Sequence, residues 1–110
     1  MSERPNASWI EDMLQAAQRI VAYNCGLSYE DFLCDIKTQD AIVRNIEILG
    51  EAAGKISADF KKANPTLPWH NIIGMRNRLV HEYFGVNLDI VWSVAQDDLP
   101  GLIAMLENLI

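Results

Sequence analysis

The chain has 110 residues, enough for one hydrophobic core and too few for a second, so any cleft larger than a groove has to come from association. Half of the residues are hydrophobic and 22% are charged, a balance that excludes an intrinsically disordered chain. The formal charge of −6 argues against a protein that coats nucleic acid non-specifically, because such binding rests on cations neutralising phosphates.

The charge is unevenly distributed. Residues 1–43 hold three Lys/Arg against seven Asp/Glu, and residues 82–110 hold none against five. Between them, Arg44, Lys55, Lys61, Lys62, Arg76 and Arg78 stand against Glu47, Glu51 and Asp59, which leaves +3. Two readings fit: a focused basic site on an acidic body, and a merely solvated charge pattern. The N-terminus, MSERPNASWIEDML, carries both signs of charge and no apolar leader, and no apolar run approaches the length of a bilayer span. A single domain over residues 1–110, without membrane contact and located in the cytoplasm, is the expectation. Cys25 and Cys34 lack the CxxC spacing of metal or redox sites and are expected as small core residues without chemistry.

From the N-terminus, Ile10, Met13, Leu14, Ala17, Ile20 and Val21 recur at helical spacing and predict a first helix over Trp9 to Cys25, stopped by Gly26. Ser28 with Asp31 three residues on resembles a capping box opening a short second helix through Phe32. Ile42, Ile46, Leu49, Ala53 and Ile56 form one stripe of a long third helix, about Asp35 to Ile56, which is the expected central packing element. Gly50 and Gly54 inside it each cost about 1 kcal/mol relative to Ala, so another backbone is expected to pass close by. Ser57 caps a short fourth helix, ending before Asn64 and Pro65. Pro68 opens a fifth, Trp69 to about Tyr83, with Gly85 as its stop. A last helix runs from about Leu88 to the end, capped by Asn87 and kinked at Pro100. With no strand-like alternation and no repeat, the fold class is all-α: an up-and-down bundle of about five to six helices.

The fifth helix carries the chemistry. At about 100° per residue it groups Trp69, Ile72, Ile73, Leu79, Val80 and Tyr83 on one side with Arg76 in their midst. An arginine there must be paired, must snorkel or must line a cleft; it is either an ion-pair partner of Glu47 or Glu51 or a cation held for a phosphate. A second, polar line holds His70, Gly74, Asn77 and His81, with Arg78 beside it. Gly74 in that line would admit a partner helix, and Asn77 could orient the His81 ring. Arg76 and His81 stand about 140° apart on an ideal helix. Either the helix loosens near His81, or the arginine reaches round, or two subunits complete the site.

The segment LPWHNIIGMRNRLVHEYFGVNLDIVW, with RNIEILGEAAGKIS upstream, resembles the HepT-like branch of the HEPN superfamily over nearly the whole chain. The family motif is Arg, four to six residues beginning with a polar one, then His. Here it is Arg76, Asn77 and, after four intervening residues, His81, with the branch's tyrosine two positions later at Tyr83. The resemblance implies a HEPN-like helical bundle and a metal-independent endoribonuclease without cofactor, acting as a homodimer whose two motifs face a shared cleft. It implies catalytic roles for Arg76 and His81 and supporting or RNA-binding roles for Asn77 and Arg78. It also implies the toxin half of a type VII toxin–antitoxin pair, neutralised when a minimal nucleotidyltransferase antitoxin transfers AMP to Tyr83.

The residue chemistry suits these roles. The ordinary pKa of histidine lies near neutrality, which fits a general base or acid at the ribose 2′-hydroxyl or the leaving oxygen. Arginine can hold a scissile phosphate bidentately and stabilise charge that develops on it. Tyr83 could equally be a helix-end core aromatic. Two rival readings are a non-catalytic binding subunit of a nucleotidyltransferase complex, and a metalloenzyme built on His70, His81 and the third-helix carboxylates. The second lacks HExxH or any comparable ligand spacing.

Overall fold

A computed structural model describes residues 4–81 and 85–110, and of Val80 and His81 the backbone alone. Its described residues form an all-α bundle: α1 (Asn6–Asn24), α2 (Tyr29–Leu33), α3 (Ile36–Lys55), α4 (Ala58–Ala63), α5 (Trp69–Leu79), α6 (Leu88–Ser93) and α7 (Leu99–Glu107). A π turn, Val94–Asp98, joins the last two into one nearly continuous rod. One two-residue ribbon interrupts the helices, β1 (Val80–His81) against β2 (Gly85–Val86), antiparallel, with Val80 opposite Val86 and His81 opposite Gly85.

Local rules account for most boundaries. Ser28 and Asp31 form the reciprocal capping box, and the Ser57 and Asn87 side chains accept from the amides of Phe60 and Ile90. At the start of α3 the Asp35 carboxylate accepts from the Thr38 hydroxyl at 2.7 Å and the Thr38 amide at 3.0 Å. These two donors hold its pKa below the ordinary carboxylate value. Gly26 leaves α1 with φ +80°, a left-handed conformation that favours glycine.

The central element is α3, packed against α1 on one side and α5 on the other, with α7 closing over α1. All five stripe residues, Ile42, Ile46, Leu49, Ala53 and Ile56, are buried. Gly50 lies against α5: a Cβ there would sit 3.4 Å from the Ile72 carbonyl oxygen and 3.5 Å from that of Ile73. The close approach expected of Gly50 is present. Gly54 and Gly74 have no such neighbour among the described residues.

Four expectations need correction. First, α5 ends at Leu79 rather than near Tyr83, because Val80 and His81 leave the helix to pair with β2. The Asn87 amide donates to the Leu79 carbonyl at 2.6 Å, fastening the helix end to the start of α6. Second, the buried face of α5 is Trp69, Ile72, Met75 and Leu79, while Ile73 is 41% exposed. Met75 draws that face away from Arg76, which stands on its flank. Third, Cys25 and Cys34 are both exposed, because they occupy the C-caps of α1 and α2, where the chain turns at the surface. Fourth, the disturbance near Pro100 takes the form of a π turn before it, in which the Leu99 amide reaches back to the Val94 carbonyl. Proline has no amide hydrogen to continue the α ladder, and the wider register accommodates that gap.

Candidate active site

The α3–α5 crossing at Gly50 builds the site. The two helices run antiparallel past each other, so one turn before Gly50 on α3 stands level with one turn beyond Ile73 on α5. Those positions are Glu47 and Arg76. Arg76 Nε lies 3.9 Å from Glu47 Oε1, and Arg44 Nη1 lies 3.8 Å from Oε2 of the same carboxylate. The ion-pair role considered for Arg76 is therefore real, with Glu47 as its partner. Glu51 has no ion pair among the described residues and is exposed.

The pair is loose. Its separation exceeds hydrogen-bond length, and the Arg76 side chain remains 59% exposed against 32% for Glu47. Exposed ion pairs of this kind contribute about 0–1 kcal/mol, so Glu47 steers Arg76 without consuming its donors. The two readings of Arg76, ion-pair partner and cation held for a phosphate, are compatible at this geometry.

His81 follows Arg76 by five residues but no longer on the same element. Because α5 stops at Leu79, β1 carries His81 across from Gly85. Gly85 has φ +78°, so it is the glycine that lets β2 begin there. Of the three alternatives, the backbone shows the helix ending before the histidine. The 140° angle on a regular helix is thus no argument for a second subunit. The side chain of His81 and all of Tyr83 lie outside the described residues.

Arg78 does not join Arg76. It points to the other flank of α5, where Nη2 lies 3.9 Å from Oδ2 of Asp98, the last residue of the π turn. Asn77 is exposed between the two arginines, and its side chain makes no hydrogen bond among the described residues. His70 is exposed at the start of α5, beside Lys61 and Lys62, in a groove of about 430 Å³ at the far end of the helix. Among the described residues no three His, Cys, Asp or Glu side chains gather to hold a metal ion, and no helix is long and apolar enough to cross a membrane.

The sequence reading missed Arg44. The signal was available: Arg44 and Glu47 are three apart on α3, on the side away from its apolar stripe, as a helical ion pair requires.

Residues 13–109 match the family model described as Ribonuclease HepT-like, and the chain belongs to that family. It is 39% identical over 107 residues to "Probable ribonuclease HepT" of Thermococcus cleftensis, covering 97% of each chain. It is 38% identical over 94 residues to a protein of Caldanaerobacter subterraneus subsp. tengcongensis that carries the name RNase provisionally, covering 86% of this chain and 84% of the relative. A similarly named protein of Methanocaldococcus jannaschii is 32% identical over 100 residues, covering 91% of this chain and 92% of the relative. No solved structure matches the chain.

Proposed function

We propose that the chain is the toxin of a two-component toxin–antitoxin system, a metal-independent endoribonuclease that cuts RNA by attack of a ribose 2′-hydroxyl. The observation that supports this best is Arg76 itself: an arginine in the last turn of α5, loosely paired with Glu47 and with its donors left over, shortly before the strand that bears His81. Family membership supports the ribonuclease class.

In this reading His81 takes the proton of the 2′-hydroxyl. The freed oxygen attacks the adjacent phosphorus, the bond to the 5′-oxygen breaks, and that oxygen leaves with a proton delivered by an acid in the site. The products are a 2′,3′-cyclic phosphate and a 5′-hydroxyl. Arg76 grips the non-bridging oxygens as negative charge grows on them. The base and the charge stabiliser are both side chains, so the step is written without a metal. Cleavage should therefore proceed unchanged in EDTA and leave cyclic-phosphate ends detectable by mass spectrometry. Loss of activity in chelator with recovery on adding magnesium or zinc would overturn the mechanism.

The active form is a homodimer. Gly74 and the 41% exposed Ile73 give α5 a face where a second helix could come close without meeting a side chain at the glycine. Sedimentation at micromolar concentration should give about twice the chain mass, and a strict monomer would remove the shared cleft. The partner that silences the toxin is a minimal nucleotidyltransferase, which adenylylates Tyr83. The cytoplasm is where both would meet RNA.

A further inference from the structure

We propose that Arg44 is a second phosphate-binding residue, which holds the RNA phosphate next to the scissile one and so fixes the direction in which the strand leaves the site. The inference rests on the reading of Arg76 as the scissile-phosphate residue.

Three observations carry it. Arg44 and Arg76 are tied to opposite oxygens of the single Glu47 carboxylate, at 3.8 Å and 3.9 Å. Two cations sharing one anion leave a net positive charge, and they are neighbours, as successive phosphates of one strand are. Next, the Arg44 side chain is 65% exposed and its contact with Glu47 is longer than a hydrogen bond, so its guanidinium can turn to a phosphate at little cost. Finally, Arg44 borders a groove of about 270 Å³ lined with Gln39, Asp40, Val43, Glu47, Val86 and Leu88. Val86 is paired with Val80, the residue before His81, so this groove runs beside the ribbon that carries the histidine. A strand gripped at Arg76 therefore has space, apolar wall and a cation on the α3 side. Asp40 would repel phosphate farther along the groove, which places the phosphate at the Arg44 end.

The alternative exit lies along α5 toward Lys61 and Lys62, at the opposite end of that helix. The two directions are separated by binding and turnover measured on the full chain. The binding probe is a uniformly 2′-O-methylated oligoribonucleotide, which cannot be cut by 2′-hydroxyl attack. Arg44→Ala should weaken its binding about three- to tenfold. It should also flatten the salt dependence by about 0.7 in log Kd against log salt, so that the affinity lost between 50 and 200 mM falls by nearly threefold. Arg44→Lys should restore the slope. Arg19→Ala, the same charge change on an exposed part of α1, should leave it unaltered.

Turnover tells a phosphate contact from an indirect effect. A dinucleoside monophosphate has only the scissile phosphate, so Arg44→Ala should spare its kcat/KM while raising KM for a longer RNA. Equal losses on both substrates would mean that Arg44 acts only through Glu47 and Arg76, and would overturn the proposal. So would an unchanged salt slope, or a slope that falls for Lys61→Ala instead. Cleavage of the methylated probe, or of dinucleotide by Arg76→Ala at a near-parental rate, would instead count against the catalytic reading on which the proposal stands.

Discussion

Replacing Arg76 with alanine should reduce RNA cleavage by about 10²–10³ in kcat, the usual cost of losing a donor that stabilises developing oxyanion charge. Replacing His81 with alanine should cost about 10²–10⁴, the range for a general acid or base. Both variants should also lose the ability to arrest growth when expressed without an antitoxin. Arg76 is more than half exposed and its only described ion pair is loose, so the circular dichroism and melting temperature of Arg76→Ala should match the parent closely. That separation of activity from folding makes the test informative. Arg76→Lys should recover part of the rate and no more, because an ammonium is a point charge without the planar fork that grips two phosphate oxygens. Cleavage by both alanine variants at near-parental rates would remove the motif from the chemistry.

Tyr83 should be modified all or none. Incubation of the chain with its cognate nucleotidyltransferase and ATP should add AMP-sized increments to the intact mass, and Tyr83→Phe should gain none. In this transfer the phenol oxygen attacks the α-phosphorus of ATP, pyrophosphate leaves, and the phenolic proton passes to a base of the transferase. The adduct carries an anionic phosphodiester two residues from His81 in sequence. It would compete with substrate phosphate for the site's arginines as well as occupy space, so the modified protein should neither bind nor cut RNA. The Phe variant also divides the tyrosine's duties: full activity makes the hydroxyl a target only, and lost activity makes it a participant. Equal labelling of both proteins would place the acceptor elsewhere.

The parts of this fold that follow local rules were legible in the sequence. Ser28 with Asp31, Ser57 and Asn87 were read as caps because a cap is decided within four residues, and each caps its helix here. The stripe from Ile42 to Ile56 was legible because about four turns of consistent spacing leave little choice about which side of α3 is buried. Gly50 could be read as a close approach, since a glycine in a long helix has a cost that packing must offset. What failed rested on spacing or residue type alone. Leu79, Val80 and Tyr83 keep helical spacing, so nothing local announces that β1 will leave the helix to pair with Val86. Counting Met75 in the buried face moves Arg76 from its centre to its flank, since one residue is about 100°. Residue type alone favours buried cysteines, whereas the positions of these two at helix ends put them at the surface. At the site, Glu47 is legible as an ion-pair candidate for Arg76, and its second partner Arg44 is legible too from the three-residue spacing on α3; only the choice of Glu47 over Glu51 needs the α3–α5 register.

The crossing at Gly50 has a thermodynamic consequence for how this protein meets its substrate. Glu47 and Arg76 project from backbones locked together by Leu49, Ile46, Ile72 and Leu79, all at most 1% exposed. The stems of the two side chains are thus oriented when the bundle folds, and the ordering entropy is lost then rather than at the encounter with RNA. Only the guanidinium ends remain to be arrested by phosphate. A small acidic protein with few cations can afford weak attraction to RNA in general if those few are already aimed, and selectivity then comes from alignment rather than from charge density.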